Sequence, residues 1–398
     1  MNKEQSRRWL YLGMGSAALL FAGVLYAWSI LKVPLREEFG WSAAALSLNF
    51  TLTMCFFCLG GLLGGSLIRR IGFSGSCMLS ALLSAAGFLL AGSLKGRLGM
   101  LYLSYGVLGG LGIGIAYNGI IATVSGWFPD QKGLCSGVLM MGFGASSLVL
   151  GSMADQLIKT AGFGWRGTYR LLGIALGAVL CLAALVLKQK PPSGDMPQAE
   201  EEGSAPGEML RSGSFWKAFL CVVFMAAVGN SVISVAKEFA LSTGTKESVS
   251  TLLVGLLAVC NGFGRILTGA LFDRVGRRPT MLAANGLTLL AAGICLASVL
   301  LASPGLCVLG LCLTGFSYGT CPTISSAYIA EAFGMRHFSQ NFSIMNCNLI
   351  PAAALASVCS MLTAATGGYS GMFLLLVILS AAALVLNVRL SAHHAPEM

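Results

Sequence analysis

Charge is the scarcest feature of this 398-residue sequence: charged side chains make up 10% of it, against 56% apolar ones. A soluble domain cannot be built from that mixture, because too little polar surface would remain to face water. Equally absent are the strict alternation and roughly ten-residue length of membrane barrel strands. The basic start MNKEQSRRWL leads into an apolar run with no A-x-A-type cleavage site through Ser29. That run therefore reads as a retained first helix rather than a leader. Metal and thiol chemistry lack their parts. The 13 cysteines are scattered singly through apolar runs, where a thiol behaves as a small hydrophobe. Cys55 and Cys58 form a CxxC in TMCFFCLGG, but no further ligand lies near them in the sequence. No nucleophile–base or metal constellation is visible, so neither an enzyme nor a cofactor is expected. The formal charge of +10 would suit a nucleic-acid binder, yet no basic, aromatic-interleaved segment exists, which excludes that partner. The run GVLGGLGIG (106–114) lacks the preceding strand of a dinucleotide fingerprint. Its Gly106, Gly110 and Gly114 instead suit close approach of membrane helices.

What the chain does have is apolar length. Runs of about 20 residues, each enough to span a bilayer as a helix, recur almost throughout. Twelve spans are expected, with bounds good to a few residues. The first six lie at about 9–31, 43–68, 74–94, 99–124, 133–157 and 166–187. The second six lie at about 214–237, 249–272, 279–301, 304–329, 340–364 and 368–389. This predicts an all-α membrane protein of two six-helix bundles, 1–187 and 214–398. They are joined by a Pro-, Gly-, Ser- and Glu-rich linker, 188–213, whose composition predicts flexibility. Alternate loops carry the unopposed basic residues, among them Arg7, Arg8, Arg69, Arg70, Lys188, Lys190, Arg211, Arg277 and Arg278. The positive-inside rule then places both termini and the linker in the cytoplasm of a multi-pass inner-membrane protein.

The halves echo one another. GGSLIRRIGFSG (64–75) follows span two and GALFDRVGRRP (269–279) follows span eight. Repeated bundles joined by a long linker are the layout of a transporter with its site near the membrane midplane. Within span eight sits Arg265, about eight residues and hence about 12 Å from the polar run beginning at Asp273. A guanidinium at that depth is costly unless it faces protein or a wet cavity, and arginine cannot shed its charge. Its planar fork of donors fits a carboxylate.

GALFDRVGRR resembles the loop signature of the major facilitator superfamily: Gly269, Asp273, Arg274, Gly276, Arg277 and Arg278 fall in place. The resemblance implies the major facilitator fold and a gating role for that loop. The first-half copy departs from it, with Arg69 where the signature's Asp belongs. YAWSILKVPLREEFGW (26–41), GLGIGIAYNGIIATVSGWFPDQKGLCSGVLMMGFG (110–144) and NGFGRILTGALFDRVGRR (261–278) look like the oxalate/formate antiporter family, a relative of the monocarboxylate transporters. That resemblance implies a small-carboxylate substrate with Arg265 as its ligand. Oxalate-carrying members add a lysine in span eleven, and its position is Leu349 here. With one buried cation a dianion would be left undercompensated, which points to a monoanion. Asn346 and Asn348 offer neutral hydrogen bonds instead. Proton-coupled relatives tend to carry an Asp one turn before the arginine, where this chain has Asn261, which cannot titrate.

Aromatic residues complete the expected site. Trp28, Tyr117 and Tyr318 are preferred, with Tyr26 beside them, because each sits in a span expected to line a central pathway. Together these readings predict a secondary transporter that exchanges a small monocarboxylate by alternating access and works as a monomer in the lipid bilayer. The alternatives are a proton-coupled symporter, with Glu238 as one possible carrier, and a non-transporting carboxylate sensor.

Overall fold

The computed structural model describes residues 3–160, 162–189 and 203–391. Among them every regular element is helical, and a single isolated bridge joins Gly203 to Gly334. Helix α1 (Lys3–Ala22), a 3-10 stretch (Gly23–Ala27) and α2 (Trp28–Phe39) form the first crossing, which extends beyond the expected 9–31 at both ends. Next comes α3 (Ala43–Ala91), followed by α4 (Leu98–Leu101), a π-helical stretch (Tyr102–Gly109) and α5 (Gly110–Ser125). Then follow α6 (Lys132–Lys159), α7 (Gly164–Val186) and α8 (Pro206–Arg211). The remainder is α9 (Gly213–Ser242), α10 (Glu247–Val275), α11 (Arg277–Leu300), α12 (Pro304–Ala332), α13 (Phe338–Asn346), α14 (Leu349–Thr366) and α15 (Ser370–Ser391).

Eleven helical segments among the described residues are long and apolar enough to cross a membrane. The longest, in α3, holds two expected spans. Its 49 residues would rise about 74 Å as one rod, more than twice a bilayer's hydrocarbon thickness. The rod breaks at Gly72, whose φ of 72° and ψ of 174° lie outside the helical region. Gly276, between α10 and α11, has nearly the same pair, 78° and −177°. A side chain would strain either backbone, which explains why both basic turns contain glycine at that point. Four residues on, Ser76 Oγ donates to the Gly72 carbonyl and Thr280 Oγ1 to that of Gly276, each at 2.8 Å. The echo seen in the sequence is therefore a repeat in backbone conformation.

Two departures have local causes. The expected linker 188–213 lies largely outside the described residues, but its last part is helical. Pro206 opens α8, and Glu208 Oε2 accepts from the Ala205 N–H at 2.9 Å, supplying the cap that a short helix needs. Span eleven is two helices, α13 and α14, interrupted at Cys347 and Asn348. Pro351 has no N–H for the Cys347 carbonyl and its ring crowds that oxygen, so the ladder breaks one turn before it.

The chain divides into two units. One holds the described residues up to Gly203 with Phe333–Ile344; the other holds Ser204–Ala332 and the described residues from Met345 onward. In the first, one end is clamped by Glu38, which accepts from Trp165 Nε1 at 2.7 Å and from both Nη atoms of Arg166 at 3.0 and 2.6 Å. In the second, Phe239, Phe373, Leu376 and Cys295 close an apolar core. A buried amide pair, Asn387 Nδ2 to Asn285 Oδ1 at 2.6 Å, ties α15 to α11.

Candidate functional site

In the second unit, Arg265 lies well inside α10, ten residues before its end at Val275, and is 5% exposed. Glycines bring α12 against this stretch. A Cβ on Gly319 would strike the Asn261 carbonyl, and one on Gly264 the Phe316 carbonyl, so the two backbones run in direct contact. That approach lets Thr323 Oγ1 donate to the Arg265 carbonyl at 3.2 Å. One turn earlier on α10, Asn261 Oδ1 accepts from Arg265 Nε at 3.3 Å. The guanidinium is thus oriented by a neutral amide. Within α10 the acidic residues stand at the two ends only, Glu247 and Asp273. A guanidinium stays protonated at any physiological pH, so this contact places a permanent positive charge inside the helix pair.

Tyr318 is half-buried beside Gly319, with its ring against Gly229 of α9. Asn346 is buried at the end of α13. Asn348 is buried too, and its amide donates to the Met345 carbonyl at the α13–α14 break, so it serves the turn. Leu349 is half-buried at the first position of α14, and neither helix carries a lysine or arginine. At the start of α11, Arg277 Nε lies 3.8 Å from Glu331 Oε1 at the end of α12 and its guanidinium is 5.7 Å from the Tyr328 ring centre. Gly269 is buried, whereas Asp273, Arg274 and Arg278 are exposed. Gly276 makes the turn described above.

The first unit gathers a separate aromatic group. Tyr117, 5% exposed, packs against Phe143 at 4.7 Å and Phe57 at 5.2 Å, and stacks on Phe342 at 6.2 Å between ring centres. Tyr26, carried on the 3-10 stretch, joins through Phe143 at 5.3 Å. Trp28 is 4% exposed and stands apart, 4.7 Å from Tyr105, with its indole N–H given to the Leu46 carbonyl at 3.2 Å. Its polar edge is committed to the backbone.

The structure therefore brings Arg265 and Asn261 together in one unit and Tyr26 and Tyr117 together in the other. Reading from the sequence passed over Thr323, Phe57, Phe143 and Phe342. For Thr323 the signal was available. Alignment of the two halves places it opposite Asn118, another buried polar residue beside a helix crossing. For the phenylalanines nothing in an apolar span distinguishes a cluster member from a lipid-facing ring.

Comparison with known proteins agrees with this architecture. The oxalate:formate antiporter of Oxalobacter formigenes is 28% identical over 342 residues, covering 83% of this chain and 80% of that one. Monocarboxylate transporter 12 of Rattus norvegicus is 26% identical over 381 residues, covering 87% and 77%. Among solved structures, a proton:xylose symporter superposes with a TM-score of 0.78 at 16% identity, covering 97% of this chain and 96% of that one. The Escherichia coli fucose:proton symporter gives a TM-score of 0.71 at 17% identity, covering 96% and 98%. At these identities the solved structures speak for the fold alone. The model of the Major Facilitator Superfamily matches residues 10–235 and 219–397, and the chain belongs to that superfamily.

Proposed function

We propose that this transporter carries a small monocarboxylate by alternating access, exchanging one acid for another, with Arg265 as the anion's ligand. The observation that carries this reading is the buried guanidinium of Arg265, oriented by the neutral amide of Asn261. A carboxylate arriving there gains a charge-assisted hydrogen bond in a medium of low dielectric. A second negative charge would find no cation in α13 or α14, and its desolvation would go uncompensated. Exchange is favoured over proton symport because the residue one turn before the arginine cannot titrate. The likeness to an oxalate:formate antiporter supports a carboxylate class, and the likeness to a monocarboxylate transporter supports a single carboxylate. Tyr117 and Tyr26, Tyr318 and Asn346 are proposed as further substrate contacts, and the loop from Gly269 to Arg278 as a gate. The chain is further proposed to act as a monomer in an inner membrane with both termini cytoplasmic.

The test is counterflow in proteoliposomes across a panel of mono- and dicarboxylates, with and without an imposed pH gradient. The expected result is exchange of monocarboxylates, weak or absent exchange of dicarboxylates, and no requirement for the gradient. Preference for a dicarboxylate would overturn the charge argument, and accumulation driven by the gradient alone would replace exchange with symport.

A further inference from the structure

The segment 333–344 belongs to the first unit, where it lies along one face of α3. That face repeats every four residues: Gly61, Gly65 and Arg69. Gly65 would bring a Cβ within 3.1 Å of the Gln340 backbone nitrogen, and Gly61 would bring one within 3.3 Å of Ser343 Oγ. At the end of the face, Arg69 Nη1 donates to Gln340 Oε1 at 2.6 Å and lies 3.2 Å from His337 Nδ1. Gln340 Nε2 in turn donates to Ser66 Oγ at 3.0 Å. Phe342, stacked on Phe338 and on Tyr117, seats the same segment on α5.

Arginine has donors only, so the 3.2 Å contact is attractive only when Nδ1 of His337 accepts and the imidazole proton sits on Nε2. A proton on Nδ1 removes the acceptor and sets two like charges face to face. The charged residues adjacent in sequence are themselves basic. Arg69 is followed by Arg70 on α3, and Arg336 precedes His337 on its own segment. Gly203, which packs on Arg336, carries no charge. Glu331, six residues upstream, is 3.8 Å from Arg277. His337 also precedes α13, whose first-turn N–H groups disfavour a positive charge there. In the second half the position matching Arg69 is Asp273, so the device is specific to the first-half loop.

We propose that His337 makes this contact a pH-sensitive clasp: the segment 333–344 is held on α3 while the imidazole is neutral and loosens when it takes up a proton. The clasp would set the rate of a transport cycle according to acidity while carrying no proton across the membrane, and it stands whatever the substrate.

The test is hydrogen–deuterium exchange of the 333–344 peptide in the full-length protein in lipid nanodiscs, corrected for intrinsic rates and referenced to an α5 peptide. Measurements are made at about pH 7.5 and about pH 5.5, on either side of histidine's ordinary midpoint of about 6.5. Protection of the wild-type segment is expected to fall several-fold on acidification, with a ceiling of about tenfold for a histidine of ordinary midpoint that takes up its proton only in the open state. His337→Gln, whose amide oxygen accepts but does not titrate, should stay protected at both values, and His337→Asn serves if that variant does not fold. Arg69→Ala should be unprotected at both. Equal wild-type protection at the two pH values, or a fall of the same size in His337→Gln, would overturn the proposal.

Discussion

The α3–α5 crossing in the first unit and the α10–α12 crossing in the second are the same construction with different contents. In the first, Cβ atoms on Gly110 and Gly114 would strike the carbonyls of Thr53 and Phe57, and one on Gly60 that of Leu111. In the second, Gly315 and Gly319 meet Leu257 and Asn261, and Gly264 meets Phe316. Each member of one set matches its counterpart at a constant offset along each helix, so the interlock is duplicated. The difference lies one residue after Gly60 and Gly264. There the first unit has Gly61, with the Asn118 amide nitrogen where a side chain would go. The second has Arg265, with Thr323 in place of Asn118 bonded to its backbone. The scaffold is symmetric and the charge is not. One copy presents a cation, and the other gives that place to close packing.

The largest effect expected from breaking this asymmetry is on transport. Arg265→Ala removes the buried cation and should cut counterflow by about 100-fold or more, in the range of losing a buried charged partner. Folded yield by size-exclusion chromatography should be unchanged; near-normal counterflow would remove Arg265 from the site. Next come the shared glycines. Gly114→Val and Gly319→Val each force a side chain into a carbonyl and should each lower stability by about 1–3 kcal/mol. Similar losses of thermal midpoint would sharpen the equivalence of the two crossings, and a loss confined to one variant would break it. Asn261→Asp puts a titratable acceptor where the neutral amide now orients Arg265. Its carboxylate would compete with substrate at neutral pH and be relieved by protonation at low pH, giving about tenfold pH dependence in apparent affinity. A flat pH profile would show that residue 261 does not face the bound acid. Leu349→Lys supplies a second cation and should shift selectivity toward dicarboxylates by about tenfold, the lower end of charged-contact energies. An unchanged substrate profile would remove position 349 from the binding region.

Much of the fold was legible because bilayer thickness imposes a coarse rule on sequence. Apolar length gave the crossings, and the two glycine-bearing basic turns gave the repeat. Less visible were features decided by packing between neighbours. The π-helical stretch at Tyr102–Gly109 and the 3-10 stretch at Gly23–Ala27 have no composition of their own. The break at Cys347 was signalled by Pro351, although proline inside a membrane span is also tolerated, as Pro322 in α12 is. At the candidate site, Arg265 stood out because no other guanidinium lies so deep in a span. Trp28 looked equivalent to Tyr117 in sequence, and only the structure shows its N–H spent on Leu46. The reach of Arg69 to His337 and Gln340 links residues too far apart in the chain for spacing to indicate.

The glycine interlock also limits how α10 can move. A slide of one residue along α12 would carry side chains into the places now kept clear for carbonyls. The pair therefore has almost no translational freedom along its own axis. Arg265, Asn261 and Thr323 ride as a single block, and any movement of the pair leaves their mutual distances fixed.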